Sequence, residues 1–577
     1  MKLMIREFVA SLRERGELDA ILPDLLSELG YTIISRPGRG TRQHGVDIAA
    51  VGQDDDGQRK VFLFSVKQGD LTRQDWDGTP QALRSSLNEI QDAYIPSRIP
   101  KRYQDLRVVI CLCIGGEILE QVADDVRGYI SKHTTDRVAF DEWNGDRIAE
   151  FILAGILREE ILPRALRSSF QKSVAMVDEP DVSYYHFTAL VGQLRSNAGE
   201  HLAARVTAAR QIYVCLWILF VWARDVENLE GPYRCSELVL LNTWELLKPS
   251  IGRRNNNAKA LVRALHQLIA LHVLITTYFL DEKILPHVGK RNAISLSIGS
   301  RNAVDVNLAL FELLGRIAMA GLWSVWFAET SGAEERAVNQ KKIQDLLSEG
   351  FKLIAQNPIL FSPISDHQAI DIALFLQLAL SCGQIPADIA AWLTHMTDRI
   401  DFAVRTHGKY PCIYTEYRDL IYHPQEKSDA YRKEATSGSI LIPLLASWLA
   451  ALGADEAFAK LEELKRTQLE HCTLQLWLPD QLTEDSIYTG GRDHGLALCD
   501  LAISAGGPEL LDEIANACRR EAAFDNVSAM QQVTGPFYWS LAVTTGFQYR
   551  HNFGSLRFVH LSWLRARQLL RMPQSDS

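Results

Sequence analysis

Along residues 1–165, short and nearly continuous apolar runs alternate with stretches whose apolar positions recur every three or four residues. From residue 183 onward the helical spacing prevails. "MKLMIREFVASLRERG" is a charged amphipathic segment, and "LPDLLSELGY" (22–31) predicts a helix closed by Gly30. "TIISR" is short and β-branched, and the loop "PGRGTRQHG" follows it. "VDIAAVG" and "KVFLFSV" read as strands joined through the Asp-Gly of "QDDDGQ", a hairpin signal. "TPQALRSSLNEIQDAYI" predicts a helix with Thr79 as N-cap and Pro80 at its first position. "LRVVICLCIGG" and "RVAFDEW" are further strands, each followed by an amphipathic helix. Helix, strand, hairpin, helix, strand, helix, strand, helix is an α/β order. It predicts a mixed central sheet flanked by helices.

The expected organisation is an α/β domain over 1–165, a linker over 166–182 ("SSFQKSVAMVDEPDVS" and its flank) and a large all-α domain over 183–577, in one lobe or two. Segments such as "NLALFELLGRIAMAGLWSVWFA" and "GSILIPLLASWLAALG" carry the helical period, with no strand pattern among them and no fixed repeat. The longest apolar run, Ile212 to Ala223, is bracketed by Arg210 and Arg224. A bilayer needs ~20 apolar residues, so this run is read as a buried helix and no membrane segment is expected. The N-terminus lacks the apolar core of a signal peptide.

With 577 residues the chain is too long for one core, and 47% hydrophobic with 23% charged residues is ordinary for a folded protein. The net charge of −10 argues against a chain that binds nucleic acid along its whole surface, but a local cleft can still be positive. Nine cysteines without CxxC spacing point to a reducing, cytoplasmic setting. Cys111 and Cys113 share a strand face but lack nearby partners for a zinc site.

Chemistry enters where polar residues intrude on the apolar strands. In "VFLFSVKQ", Phe62, Phe64 and Val66 face one way and Leu63, Ser65 and Lys67 the other. Both faces are apolar until the end, which predicts a central strand with Lys67 emerging at the sheet edge. Asp47 lies within the partner strand, and the hairpin draws it toward Lys67. Such a pair is either a structural ion pair or a hydrolytic site. In the second case Asp47 ligates Mg2+ (or Mn2+), and Lys67 orients the attacking water or stabilises developing negative charge.

Leu29-Gly30-Tyr31, then Gly45-Val46-Asp47-Ile48, then a strand ending x-x-Lys at Lys67, resembles the PD-(D/E)XK nuclease superfamily and its Mrr-like restriction endonuclease branch. "FDEW-NGDRIAEFI" (140–152) is similar to the final strand and helix of nuclease domains in bacterial antiphage effectors. The resemblance covers residues 1–165 and implies a restriction-endonuclease-like fold and metal-dependent DNA cleavage. It departs from the family at Ser65, where an acid or Gln is usual and a hydroxyl is a poor Mg2+ ligand. Three accounts compete. The second acid comes from beyond the lysine, with Asp70, Asp75, Asp77 and Glu89 as candidates. Or Asp47 works with a backbone carbonyl such as that of Val66. Or the site is inactive.

Aligning on Leu29-Gly30-Tyr31 places Asp19 where the family's early helix supplies an acid, although Pro23 would interrupt a helix holding both. The resemblance also implies phosphate contacts by Arg36, Arg39 and Arg42, and His44 is a candidate proton carrier. Gln68 is a candidate partner of substrate or of Asp47. A tyrosine- and cation-rich stretch, 407–438, reads as a long inter-helix connection before it reads as a stacking surface, and 488–498 as a turn. The expected function is a Mg2+-dependent endodeoxyribonuclease of the restriction or antiphage class, with RNA as the other substrate considered. Its helical part would sense a trigger, bind a partner protein or drive homo-oligomerisation. The rival is a non-catalytic interaction protein that keeps a degenerate nuclease fold.

Overall fold

In a computed structural model the described residues are all except Met1, 36–43, 54–56, 156–163, Arg301, 383–386, 479–495, Asp500 and 521–577. The chain divides into two compact units, Met1–Cys235 and Ser236–Ser577, with the boundary inside helix Glu230–Leu247.

The first unit begins with α1 (Lys2–Ser11), a π turn (Glu14–Leu18) and α2 (Asp19–Glu28). Strands β1 (Thr32–Ser35), β2 (Ile48–Gln53) and β3 (Arg59–Lys67) follow. The crossover holds α3 (Arg73–Asp77), α4 (Leu83–Glu89), a second π turn (Ile90–Tyr94) and α5 (Ile95–Ser97). Then come β4 (Val108–Ile114), α6 (Glu120–His133), β5 (Val138–Trp143) and α7 (Gly145–Gly155). The sheet order is β1-β2-β3-β4-β5. The β1-β2 and β2-β3 pairs are antiparallel, and the β3-β4 and β4-β5 pairs are parallel. The mixed sheet expected from the element order is therefore present, with β3 at its centre.

Residues 61–66 of β3 are all buried. On one face Val61 and Leu63 join Trp76, Leu83, Leu87, Ile90, Val122, Val126 and Tyr129 in a single apolar core. From the alternate positions Phe62 meets Tyr31 edge-on at 5.0 Å, and Phe64 meets Trp143 at 4.9 Å. These two clusters explain why both faces of "VFLFSV" are apolar. The Leu-Gly-Tyr turn is a Schellman closure of α2. Gly30 takes φ +87, its N–H donates to the Ser27 carbonyl, and the Tyr31 N–H reaches back to Leu26.

Several expectations are corrected. Pro23 lies inside α2. The N–H it lacks would face the carbonyl of Asp19, at the junction where the π turn already changes the hydrogen-bond ladder, so the helix tolerates it. Helix α4 starts at Leu83 with Ala82 as N-cap, later than Thr79 and Pro80, which form a preceding turn. Segment 166–182 is helical for most of its length. Helix α8 (Arg164–Ala175) is followed by a turn and α9 (Pro180–Ala198), and Ser173 and Ser183 tie the two together through reciprocal hydrogen bonds. The apolar run Ile212–Ala223 belongs to a longer helix, α10 (Leu202–Asp225). By length and composition α10, the run Asn256–Val288 and helix Ala303–Thr330 are each sufficient to cross a membrane. Their apolar windows are 83%, 50% and 78% buried within the protein.

The second unit is dominated by helices, among them Ala303–Thr330, which packs on Ala333–Gln356 and Ala369–Ser381. It also holds a small three-stranded sheet, β6 (Gly438–Ser439), β7 (Thr473–Leu478) and β8 (Leu496–Cys499), so it is not purely α. β6 and β8 are only two and four residues long, and β7 stands isolated among helical patterns.

Asp366 is buried and caps helix Leu441–Leu452 from a distance in sequence. Its carboxylate accepts from the Ser439 hydroxyl and from the Ile440 and Leu441 N–H groups at 2.5, 2.7 and 3.1 Å. Asp366→Ala strands three buried donors and is expected to cost about 3 kcal/mol. Urea unfolding of the variant measures that loss, and a loss below about 1 kcal/mol would remove Asp366 as the anchor of this helix.

Candidate functional site

The approach to β2 is bent by two successive residues with positive φ, His44 (+50) and Gly45 (+76). At Gly45 a Cβ would lie 2.2 Å from the backbone carbonyl oxygen of Ser86 in α4. Only glycine combines this conformation with that approach. The bend delivers Asp47 to the first position before β2, at the strand's entrance and not in its middle as the sequence pattern implies. The Asp47 N–H donates to the Phe64 carbonyl at 2.9 Å, and Asp47 Oδ2 accepts the Val66 N–H at 2.8 Å. Asp47 thereby brackets the buried Ser65 on β3.

Lys67 ends β3, and its Nζ donates to Glu14 Oε2 at 3.0 Å. Glu14 opens the π turn between α1 and α2. The Gln68 side-chain oxygen accepts the Glu14 N–H at 3.4 Å. Glu17, on the same turn, is buried, accepts the Arg13 N–H at 2.9 Å and pairs with Arg224 of α10 at 3.1 Å.

Burial pushes the Asp47 carboxyl up to about 6, and the charges of Glu14 and Asp19 push in the same direction. The Val66 N–H and the Lys67 ammonium oppose the rise. Three carboxylates thus share one neighbourhood with the Lys67 cation. Burial pushes up the thiol of Cys113 on β4, and the charge of Asp47 adds to it.

The positions singled out in the sequence sort clearly. Asp47, Lys67, Asp19, Val66 and Gln68 are gathered here, with Ser65 between them. The acids beyond the lysine are engaged elsewhere. Asp75 forms a capping box with Thr72, Asp77 pairs with Arg84 at 2.6 Å, and Asp70 accepts the Glu117 N–H at 2.9 Å. Glu89 ends α4, and the acids whose charges bear most on Asp47 are Glu14 and Asp19. Local caps and pairs satisfy Asp70, Asp75 and Asp77 before they can reach the sheet edge. Arg36, Arg39 and Arg42 lie outside the described residues, and His44 is at the bend. Glu14 is not among the sequence candidates. The acidic run "ERGELD" just after the first amphipathic helix is the signal that would have found it.

Other motifs are structural. Asp141 of "FDEW" accepts the Trp143 indole N–H at 3.0 Å and pairs with Arg147, while Asn144 caps α7 through the Arg147 N–H at 3.0 Å. In 407–438, Lys409 donates to the carbonyls of Leu420, Ile421 and His423, and Tyr410 is fully buried, as suits an inter-helix connection. Most of 488–498 lies outside the described residues. Cys111 and Cys113 are buried free thiols.

Among the described residues no three His, Cys, Asp or Glu side chains are preassembled at metal-holding distance. The donors still suit a hard divalent cation. They are carboxylate oxygens with excess negative charge, and Mg2+ is commonly held by one or two carboxylates with water and substrate phosphate completing the shell. No protein-family model, no curated protein and no solved structure matches the chain.

Proposed function

We propose that the first unit is a metal-dependent phosphodiesterase acting on DNA, built on the PD-(D/E)XK plan, in an enzyme of the restriction or defence class. The observation that carries this reading is the convergence of Asp47, Glu14 and Lys67 at the entrance of β2 and the end of β3. The topology supports it, with a β2-β3 hairpin, a parallel β4 and helices that precede and follow. So does the substitution of Glu14 for the acid that Ser65 lacks, which answers the sequence departure without the acids of the following helices.

In this reading Asp47 and Glu14 hold Mg2+ or Mn2+, with Asp19 next to them. A cation held there would supply Lewis acidity toward the scissile phosphate. Lys67 Nζ, at the end of a central strand, orients the attacking oxygen or neutralises charge developing on the phosphate. Gln68 and the Val66 N–H fix Glu14 and Asp47 in register. The second unit serves control, partner binding or assembly, because a DNA-cleaving domain requires restraint. That role rests on analogy with other nuclease fusions.

A second reading, a non-catalytic scaffold on the same fold, draws on Ser65 and on the lack of a preassembled three-ligand cluster among the described residues. Supercoiled plasmid and labelled RNA, each incubated with Mg2+ or Mn2+ and with EDTA controls, separate the two. Wild type is expected to cut DNA, and Lys67→Ala or Glu14→Gln to cut it about 10²–10³-fold more slowly. Full activity in both variants would sink the assignment. Inactivity of the wild type together with no calorimetric Mn2+ binding would favour the scaffold.

A further inference from the structure

The two arginines that bracket the apolar run of α10 both reach the first helices. Arg210 pairs with Glu28 at the end of α2, and Arg224 with Glu17 of the π turn. Arg224 is the more consequential. Its Nη1 lies 3.1 Å from Glu17 Oε1, and its Nη2 donates to the Ser11 carbonyl, the last residue of α1, at 3.2 Å. The other Glu17 oxygen takes the N–H of Arg13, the residue before Glu14. Side-chain exposures of 14% and 4% make this a desolvated pair whose partners cannot trade it for water. One guanidinium therefore holds both ends of the bend that presents Glu14 to Lys67.

We propose that Arg224 is the positioning residue for Glu14, and that α10 is thereby a working part of the cleavage site although it lies outside the 1–165 span that resembles a nuclease. This rests on the proposed phosphodiesterase reading. The chain of contacts runs Arg224, Glu17, Arg13, Glu14, Lys67, with Asp47 beside it. Without the guanidinium, Glu17 is a buried carboxylate that has lost its cation, on the same turn as Glu14. The turn then relieves itself by opening, which withdraws Glu14 from Lys67. Arg224 touches none of the reacting groups, so its loss acts through metal affinity more than through the chemical step.

The test uses full-length Arg224→Gln with two independent readouts. Amide hydrogen exchange over 12–19 is expected to accelerate while the β3 and β4 amides stay protected. The metal concentration for half-maximal plasmid cleavage is expected to rise about 10–100-fold, with the rate at saturating metal within about 3-fold of wild type. Arg224→Lys keeps a charge for Glu17 but gives up the forked contact to Ser11, and should fall between the two. It also replaces the glutamine variant if that one does not fold. Unchanged protection over 12–19, or a lower saturating rate at unchanged metal affinity, overturns the proposal. Lost protection in a protein whose wild type neither cuts nor binds metal would instead overturn the phosphodiesterase reading and leave the clamp standing.

Discussion

Asp47→Asn is expected to make the protein more stable and, on the proposed reading, to abolish cleavage. The Asp47 carboxyl is pushed up to about 6 by burial and by Glu14 and Asp19, so the folded chain holds that proton more tightly than the unfolded chain does. Folding stability therefore falls as pH rises from the ordinary carboxylate range through about 6, and the full penalty is present above that. A shift of this size corresponds to about 2–3 kcal/mol. Asparagine keeps an oxygen for the Val66 N–H and carries no charge, so it removes the penalty. Thermal unfolding at about pH 7.5 should show a higher Tm for the variant, and the difference should vanish below about pH 4. A divalent cation should raise the Tm of wild type and leave the variant unmoved. A variant less stable than wild type at the higher pH would show that Lys67 outweighs the two neighbouring acids, and would remove the argument that the site is held under electrostatic strain.

Gly45→Ala is expected to have the largest effect on the fold. The new methyl would meet the Ser86 carbonyl at 2.2 Å in a backbone of φ +76. Neither partner can yield, because Ser86 is inside α4, whose Leu83 and Leu87 are fully buried. Left-handed strain and forced overpacking together amount to about 4 kcal/mol. Gly57 is the control. It also has positive φ (+70), but open space surrounds its Cβ position, so alanine there should cost only about 1 kcal/mol. Chemical denaturation of both variants measures the contrast. Equal costs would mean that α4 can retreat from the bend, and that Gly45 does not fix Asp47.

Asp47 and Gly45 both stand out in the amino-acid sequence alone. Gly45-Val46-Asp47-Ile48 and the lysine closing an apolar strand are visible because a charge inside an apolar run is costly and needs a reason. The element order is legible for the same kind of cause. Strand and helix periods are local, and each of the five strands of the first sheet overlaps the run that predicts it. Legibility fails where the deciding contact is remote. The 166–182 segment looks like a linker by composition, but its helix is held by contacts such as Ser173 with Ser183. On the proposed reading Glu14 answers Ser65, while Asp75 caps α3 and Asp77 pairs with Arg84 of α4.

What the sequence determined by itself is the hairpin that pairs Asp47 with the end of β3, and a central strand covered on both faces, because alternation and turn chemistry act over a few residues. What only the tertiary structure decided is the partner of Lys67. Glu14 lies 53 residues away in sequence. It reaches the lysine because α2 packs on β1 and β2, α1 packs on α7 and α10, and Arg224 closes the turn between them. Carboxylates are interchangeable in composition, and which one arrives at a charged strand end is set by packing between elements that no local pattern records.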